Sequence, residues 1–236
     1  EKNICRKLNM NKTSKPSYLS VVKDLCFSYK DGIDRFLSNI TNDFDIAVQL
    51  ILDTKGHVVV SGMGKSGHIG RKISATLAST GTPSFFLHPA EAIHGDLGML
   101  KKDDVVVLIS YSGETEEIIK LLPSLKKLNV KVVSLTGNKN STLSGFSLAN
   151  INVSIDREAC PLNLAPTTSA MLTMSAGDAL SVAVMHARGF AEEDFALTHP
   201  GGALGKGLTQ LVSDNMITFN LPLVESEQLI NDAIIA

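Results

Sequence analysis

Five short apolar runs punctuate the chain between residues 56 and 188, and segments of helical periodicity separate them. The runs, rich in Val, Ile, Leu or Phe, are Val58–Ser61, Ser84–Leu87, Val105–Ser110, Val130–Leu135 and Ile151–Ile155. Continuous rather than alternating apolar runs are typical of parallel strands that are buried on both faces. The pattern therefore predicts an α/β fold built on a five-stranded parallel sheet flanked by helices.

Helices are predicted in the intervening segments. Lys65–Ser79 and Thr115–Leu128 follow the first and third runs, and a short helix or turn is expected near Ser141–Leu148. The segment Thr168–Arg188 is apolar on nearly every side, which predicts a buried helix ended by Gly189. Residues 88–103 follow neither period and predict an irregular loop.

The two ends of the chain depart from this rhythm. From Ser17 to about Asp53, apolar residues at helical spacing predict two helices, broken at Asp31-Gly32 or at Asn42-Asp43, that cover the sheet or a partner subunit. Residues 1–16 are polar and basic, and after Gly207 the alternation stops. We therefore expect a flexible arm over 1–16, one domain over 17–208, and a linker into the truncated start of another module over 209–236.

Composition narrows the choice of ligand. The 236 residues are 44% hydrophobic and 19% charged with a net charge of −2, which indicates a globular protein without a general attraction to nucleic acid or acidic membranes. The three cysteines share no close spacing, and no stretch has the length of a membrane span. We expect a cytoplasmic protein that binds a small molecule.

Two loops of small residues follow the first and third strands. They read Gly62-Met63-Gly64-Lys65-Ser66-Gly67 and Ser110-Tyr111-Ser112-Gly113-Glu114-Thr115. A helix that begins after such a loop presents unpaired N–H groups and the positive end of its dipole. Glycine lets a phosphate approach the backbone closely, and hydroxyl groups can donate to its oxygens. Together the loops predict a site for one phosphorylated ligand.

The first loop fits neither of two common nucleotide-binding motifs, the dinucleotide fingerprint and the Walker A loop. It matches the spacing of a dinucleotide fingerprint, but the next strand ends without the carboxylate that would hold a ribose, and Glu91 is the first acid after it. Val59 stands where a Walker A loop needs glycine.

Lys65 at the mouth of the loop is placed to face an anion. Glu117 and its acidic neighbours open the next predicted helix, where complementing the helix dipole is the alternative interpretation.

Several other polar residues lie on predicted loops. His88 and His94 flank the segment after the second strand, and hydrogen bonding to a polyol is favoured over a metal because no third ligand is evident. Glu158 and His199 also lie beyond secondary-structure elements, where functional residues concentrate.

Taken together, these motifs resemble the sugar isomerase (SIS) domain family over roughly residues 40–208, and within it the arabinose-5-phosphate isomerases. The strings that carry the resemblance are Gly62–Lys72, His88–Gly98, Ser112-Gly113-Glu114, Glu158–Pro161, Leu164–Thr167 and Asp194–Gly202. Tyr111 departs from the Asn that is common at its position in the family. Residues 209–236 resemble only the opening of the first of the paired cystathionine-β-synthase (CBS) motifs that family members typically carry.

The resemblance implies a three-layer sandwich, a homotetramer with shared active sites, and interconversion of D-ribulose 5-phosphate and D-arabinose 5-phosphate through a cis-enediolate. The product would supply Kdo for lipopolysaccharide, with a nucleotide sugar such as CMP-Kdo as a feedback ligand. No cofactor is required, and a divalent metal held through His88 would be incidental or inhibitory. The matching catalytic positions are Lys65, Glu117, Glu158 and His199; the substrate-binding set is Gly64, Ser66, Gly81, Thr82, His88, His94, Ser110, Ser112, Gly113 and Thr115.

The roles of these residues form a hypothesis. Glu158 or Glu117 would shuttle the proton, Lys65 would stabilise phosphate or enediolate charge, and His199 or His94 would assist ring opening. Two alternatives are a non-catalytic phosphosugar sensor and an isomerase of another sugar phosphate. The sensor is disfavoured because no basic helix-turn-helix module is evident before the first strand and because the Lys, Glu and His residues are retained.

Overall fold

A single sheet of five parallel strands forms the centre of the computed structural model, which describes residues 17–200, 211–219, 221, 226–227 and 229–231. The strands are β1 (Val58–Gly62), β2 (Ser84–Phe86), β3 (Val105–Ile109), β4 (Lys131–Thr136) and β5 (Ala149–Asn152). Their order in the sheet is β2-β1-β3-β4-β5, and every neighbouring pair is parallel. The predicted five-stranded parallel sheet is confirmed.

Helices cover both faces of this sheet. They are α1 (Tyr18–Ser38), α2 (Asp43–Asp53), α3 (Gly64–Ser79), α4 (Pro89–Ile93), α5 (Glu116–Ile119), α6 (Leu122–Leu128), α7 (Thr142–Phe146) and α8 (Thr168–Ala187). Alternate residues of β1 divide between two cores: Val58 and Val60 pack with residues of α1, α2, α3 and α8, whereas Val59 packs with residues of α4 to α7. The two cores make the three-layer sandwich that the family resemblance implied.

The predictions for two segments of one layer were wrong in detail. Residues 88–103 are not a wholly irregular loop: Pro89 at the first turn begins α4, and a 3₁₀ turn spans Asp96–Met99. Proline is well suited to that position because its missing N–H would have no partner there. The single helix predicted over Thr115–Leu128 is instead α5 followed by α6, and the second begins next to Pro123, whose ring disrupts a continuous helix.

The two N-terminal helices that the periodicity predicted are confirmed. Helix α1 continues through Gly32, so the break lies at residues 39–42 rather than at Asp31-Gly32. Gly32 lets α1 pack closely on α8, since an added Cβ would lie 3.0 Å from the Thr168 methyl group. Both helices contact α8, and α2 also contacts β5. They therefore cover one layer of the sandwich.

Helix α8 is the central helix of its layer. Gly189 follows it at φ 66°, the left-handed conformation that ends helices. Its burial is less complete than predicted, since Met174 and Val182 are exposed. The strand predicted at Ile151–Ile155 lies two residues earlier, at Ala149–Asn152.

The chain divides into two compact units, residues 1–189 and 190–236. In the second unit the structure describes α9 (Glu192–Thr198) and a short helix over Val212–Asn215. The predicted arm over 1–16 and much of the segment 209–236 lie outside the described residues. Within the described part of the chain, none of the helices combines the length and apolarity that crossing a membrane requires.

Candidate functional site

The order of the strands creates a crevice between β1 and β3. From β1 the chain runs through α3 to β2 on one side, and then returns to β3 on the other side. Helix α3 lies on one face of the sheet, and α5 and α6 lie on the opposite face. The loops after β1 and β3 therefore diverge at the carboxyl edge, which is the usual ligand position in open α/β sheets.

The loop after β1 leads directly into the N-terminus of α3. No side chain caps this helix, and Gly64 at φ 56° has open space where a Cβ would project. The loop is tight because Gly67 packs on the preceding strand, where an added Cβ would lie 2.6 Å from the carbonyl oxygen of Gly62. Lys65 and Ser66 then line a cavity. The loop thus offers a cation, a hydroxyl group and helix N–H groups to an anion.

The loop after β3 is closed by its own hydrogen bonds. The buried Ser110 hydroxyl lies 2.7 Å from Thr115 Oγ1 and accepts the Gly113 N–H at 3.1 Å. Ser112 is exposed and accepts the Glu114 N–H at 3.2 Å. The structure thus places four predicted substrate-binding residues at the carboxyl edge, but none of them lines the main cavity; they are Ser110, Ser112, Gly113 and Thr115.

Glu158 reaches the same cavity from the segment between β5 and α8, with its carboxylate at the N-terminus of α8. Its Oε2 accepts the Thr167 N–H at 2.8 Å, the Thr167 hydroxyl at 2.9 Å and the Ser169 N–H at 3.2 Å. The Ser169 hydroxyl donates to Oε1. Burial tends to raise the pKa of Glu158, but the hydrogen bonds from Ser169 and Thr167 together lower it below its ordinary value. The carboxylate is therefore ionised at neutral pH.

The cavity that joins these residues has a volume of about 490 Å³. That size is within the range of small-molecule sites. It brings together the predicted residues Lys65, Ser66 and Glu158. The sequence interpretation did not identify Tyr111, Ser169 and Thr173 as further lining residues. The hydroxyl-rich run at residues 167–169, just after a proline and at the start of a helix, is the signal that could have indicated Ser169.

Two predicted residues occupy a smaller cavity of about 180 Å³. Gly64 and His88 line it together with His68, Arg71 and Phe86. The Arg71 guanidinium lies 4.2 Å from the centre of the Phe86 ring, and His88 Nδ1 is buried without a partner among the described residues. His94 is exposed at the end of α4. The described residues contain no group of three or more His, Cys, Asp or Glu side chains that could hold a metal.

Three further predicted residues of the first unit, Glu117, Gly81 and Thr82, do not line the main cavity, and His199 lies in the second unit. Glu117 lies in the first turn of α5, at the carboxyl edge but outside the cavity lining. Gly81 and Thr82 precede β2 and therefore lie at the amino edge, where the Thr82 hydroxyl accepts a hydrogen bond from Arg188 at 3.1 Å. The structure therefore places both residues at the edge of the sheet opposite the main cavity. His199, in the second unit, stacks on Phe195 at 3.8 Å between ring centres.

Comparison with known proteins agrees with this geometry. A family model described as the SIS domain matches residues 50–183. The arabinose 5-phosphate isomerase KdsD of Pseudomonas aeruginosa is 57% identical over 187 residues, covering 79% of this chain and 57% of that protein. A probable arabinose 5-phosphate isomerase of Haemophilus influenzae is 50% identical over 208 residues, covering 88% of this chain and 61% of that protein.

A solved structure is similar along nearly its whole length. This Escherichia coli CFT073 protein, in complex with arabinose 5-phosphate, superposes with a TM-score of 0.75 and 41% sequence identity, covering 77% of this chain and 97% of that one. The chain spans less than two thirds of the length of the two curated relatives above, at 57% and 61%. The family match and this shared fold, with its cavity at the switch point of the sheet, show that the chain belongs to the SIS domain family.

Proposed function

We propose that this protein is an aldose-ketose isomerase that interconverts D-ribulose 5-phosphate and D-arabinose 5-phosphate. The observation that carries the proposal is the cavity that Lys65, at the uncapped start of α3, and Glu158 line together. A cation, a carboxylate and an anion-binding helix terminus are the groups that this reaction needs. The similarity to the arabinose 5-phosphate isomerases of Pseudomonas aeruginosa and Haemophilus influenzae supports the choice of substrate.

The reaction transfers a proton between adjacent carbons of the open-chain sugar. A base removes the proton α to the carbonyl group, a cis-enediolate forms, and the proton is delivered to the neighbouring carbon. The Lys65 ammonium group stabilises the negative charge of the phosphate or of the enediolate oxygen. The N–H groups at the start of α3 and the Ser66 hydroxyl bind the phosphate.

The proton shuttle is assigned to a carboxylate, Glu158 or Glu117. Glu158 lines the cavity and is ionised, but its four hydrogen bonds and lowered pKa make it a weaker base. Glu117 lies at the same edge of the sheet on α5. Opening of the cyclic sugar is assigned to His199 or His94. Replacing each glutamate separately with glutamine decides the first question, because the shuttle loses about 10²–10⁴-fold in kcat. Full turnover in both variants would exclude the assignment.

Lys65→Ala tests the proposal directly. Turnover of arabinose 5-phosphate is measured with other pentose and hexose phosphates alongside, and the variant is expected to lose about 10²–10³-fold in kcat/KM because a preorganised charge is removed. Lys72→Ala is the matched control, since Lys72 lies on the same helix and pairs with Asp178 outside the cavity. Binding of phosphosugars without turnover of any would favour a sensor instead. Turnover centred on another sugar phosphate would favour the other alternative.

The family resemblance also implies an oligomeric state, a cellular location, a pathway and regulatory ligands, and these are part of the same proposal. We infer that the chain assembles as a homotetramer in the cytoplasm, that its product supplies Kdo for lipopolysaccharide, and that a CBS module follows residue 208. CMP-Kdo would then act as a feedback ligand, and a divalent metal would be inhibitory rather than required. Light scattering of the purified chain tests the tetramer, and activity after chelation tests the metal.

A further inference from the structure

Thr167 immediately precedes α8, and its hydroxyl group joins two parts of the segment that carries Glu158. This hydroxyl donates to Glu158 Oε2 at 2.9 Å and accepts the Cys160 N–H at 3.3 Å. The Thr167 N–H donates to the same carboxylate oxygen at 2.8 Å. One residue therefore fixes both the side chain of Glu158 and the backbone that follows it.

The segment Glu158–Cys160 lies outside the strands and helices, and side chains accept its backbone N–H groups. The N–H groups of these three consecutive residues donate in turn to Asn163 Oδ1 at 2.7 Å, Thr168 Oγ1 at 3.1 Å and Thr167 Oγ1 at 3.3 Å. These side chains hold the segment where no backbone ladder does. Of the three, Thr167 also donates to the Glu158 carboxylate.

The two oxygens of the Glu158 carboxylate accept different numbers of hydrogen bonds. Oε2 accepts three, two from Thr167 and one from the Ser169 N–H. Among the described residues, Oε1 accepts only the Ser169 hydroxyl. Because a carboxylate has about four lone-pair sites on its two oxygens, Oε1 keeps the capacity to accept a further hydrogen bond or a proton. Oε1 is therefore the oxygen that remains available to a ligand in the cavity that Glu158 lines.

Hydrogen bonds rather than an ion pair determine the orientation of this carboxylate. The other charged or titratable side chains that line the cavity with Glu158 are Lys65, Tyr111, Asp156 and Arg157. In the described part of the chain, none of these four donates to its oxygens. Burial raises the pKa of Glu158, but the hydrogen bonds from Ser169 and Thr167 outweigh burial and lower it. Thr167 does not line the cavity, so it acts on a ligand through Glu158.

We propose that Thr167 is a positioning residue for the reaction, whose hydroxyl group holds the Glu158 carboxylate at the start of α8 with Oε1 available to the substrate. The inference rests on the proposed function and deepens it, since it applies whether Glu158 shuttles the proton or binds a sugar hydroxyl group. Loss of the Thr167 hydroxyl removes one of the three donors to Oε2 and the acceptor of the Cys160 N–H. The carboxylate then has fewer contacts that keep it in one orientation.

The test compares Thr167→Val, which keeps the shape of the side chain, with Thr167→Ser, which keeps the hydroxyl group. Thr167→Val should lower kcat/KM for arabinose 5-phosphate by about tenfold or more, because a hydrogen bond to a charged group is lost. Thr167→Ser should recover most of that loss. Thr168→Val is the matched control, because the Thr168 hydroxyl accepts an N–H of the same segment but approaches Ser28 Oγ instead of the carboxylate. It should leave kcat/KM near the wild-type value.

A second measurement distinguishes positioning from a general structural role. The pKa of Glu158 is followed by ¹³C NMR of the glutamate carboxyl groups, with Glu158→Gln identifying its signal. Thr167→Val should move this pKa upward, toward the ordinary value of a glutamate, because the ionised form loses a donor. Thr168→Val should not move it. In the Glu158→Gln background, Thr167→Val should cause no further loss of kcat/KM.

An unchanged pKa of Glu158 in Thr167→Val would overturn the inference. So would equal losses of kcat/KM in the two valine variants, or the same effect of Thr167→Val in both backgrounds. Full turnover by Glu158→Gln would overturn it as well, while leaving the isomerase in place. If the wild type binds arabinose 5-phosphate in calorimetry without turning it over, a raised pKa and weaker binding in Thr167→Val would support Thr167 and reject the isomerase.

Thermal unfolding shows whether each variant is folded. Thr167→Ala removes the same hydroxyl group with a smaller side chain, and it replaces Thr167→Val in both measurements if the valine variant does not fold.

Discussion

The loops after β1 and β3 look alike in sequence and differ in structure. Each follows a buried apolar strand, contains glycine and serine, and precedes a helix. Neither of the two following helices has a side-chain cap, but the first has 16 residues, and Lys65 and Ser66 beside it line the cavity. In the second, the helix has only four residues, and hydroxyl groups bond to the loop itself. The first loop thus contributes side chains to the cavity, whereas Ser110, Gly113 and Thr115 of the second loop are bonded to one another.

The difference teaches that hydroxyl groups beside a strand end do not by themselves make an anion site. A hydroxyl group or N–H that already has a protein partner gains little from a ligand, whereas an uncapped helix terminus has donors in need of one. The second loop also docks on α7, where the Leu143 N–H donates to the Gly113 carbonyl oxygen at 3.2 Å. Its closure is therefore part of the fold.

The largest expected effect on stability separates two glycines at positive φ, Gly113 of the second loop and Gly64 of the first. Gly113→Ala should lower the free energy of unfolding by about 2–5 kcal/mol, because the left-handed conformation costs about 1–2 kcal/mol and the new methyl group would overlap the Ser141 side chain. Gly64→Ala has the same backbone penalty at φ 56° but no atom within 4 Å, so about 1–2 kcal/mol is expected. Urea unfolding at neutral pH measures both.

The two variants should also differ in function. Gly64→Ala places a methyl group at the uncapped start of α3, where the phosphate is proposed to bind, and should raise KM, whereas any folded fraction of Gly113→Ala should keep the wild-type KM. Equal losses of stability in the two variants would contradict the contrast between an open and a packed loop.

Particular residues show how much of the fold and of the candidate site could be predicted from the sequence. Buried parallel strands such as β1 and β3 have a continuous apolar pattern that depends only on local burial, and so they were predicted within one residue. Lys65 was predicted because a cation at a helix start is unusual. The partners of Ser110 could not be predicted, since they depend on how the loop folds back on itself. The ring position of Tyr111 depends on Gly137, 26 residues away in sequence (137 − 111), because a Cβ there would lie 2.5 Å from Cε2 of the ring.

The next effect is smaller and concerns two serines. Ser110→Ala should destabilise the protein by about 1–2 kcal/mol, because the hydroxyl group that accepts the Gly113 N–H and bonds to Thr115 is lost from a buried position. Ser66→Ala should instead raise KM by about tenfold, since a hydrogen bond to a charged phosphate is worth about 1.5–3 kcal/mol. Denaturant unfolding and steady-state kinetics on both variants separate these outcomes. A raised KM in Ser110→Ala at unchanged stability would show that the second loop also binds the ligand.

The smallest effect concerns Glu158. Its side chain lines the cavity, but its carboxylate accepts hydrogen bonds from Thr167 of the same chain, as the hydroxyl groups of the second loop do from their own loop. Its pKa is lowered in the folded protein, so between that value and the unfolded value of about 4.3 the unfolded chain binds more protons. The stability that this carboxylate contributes is complete above about pH 4.3 and is lost as the pH falls through the folded pKa. The difference in unfolding free energy between wild type and Glu158→Gln should therefore be constant near neutral pH and shrink in acid. Ser169→Ala removes one hydrogen-bond donor to Glu158 and should therefore reduce the part of the unfolding free energy that depends on pH. If the free-energy difference between wild type and Glu158→Gln stayed constant from about pH 7 to pH 3, the hydrogen bonds at the start of α8 would not favour the ionised carboxylate.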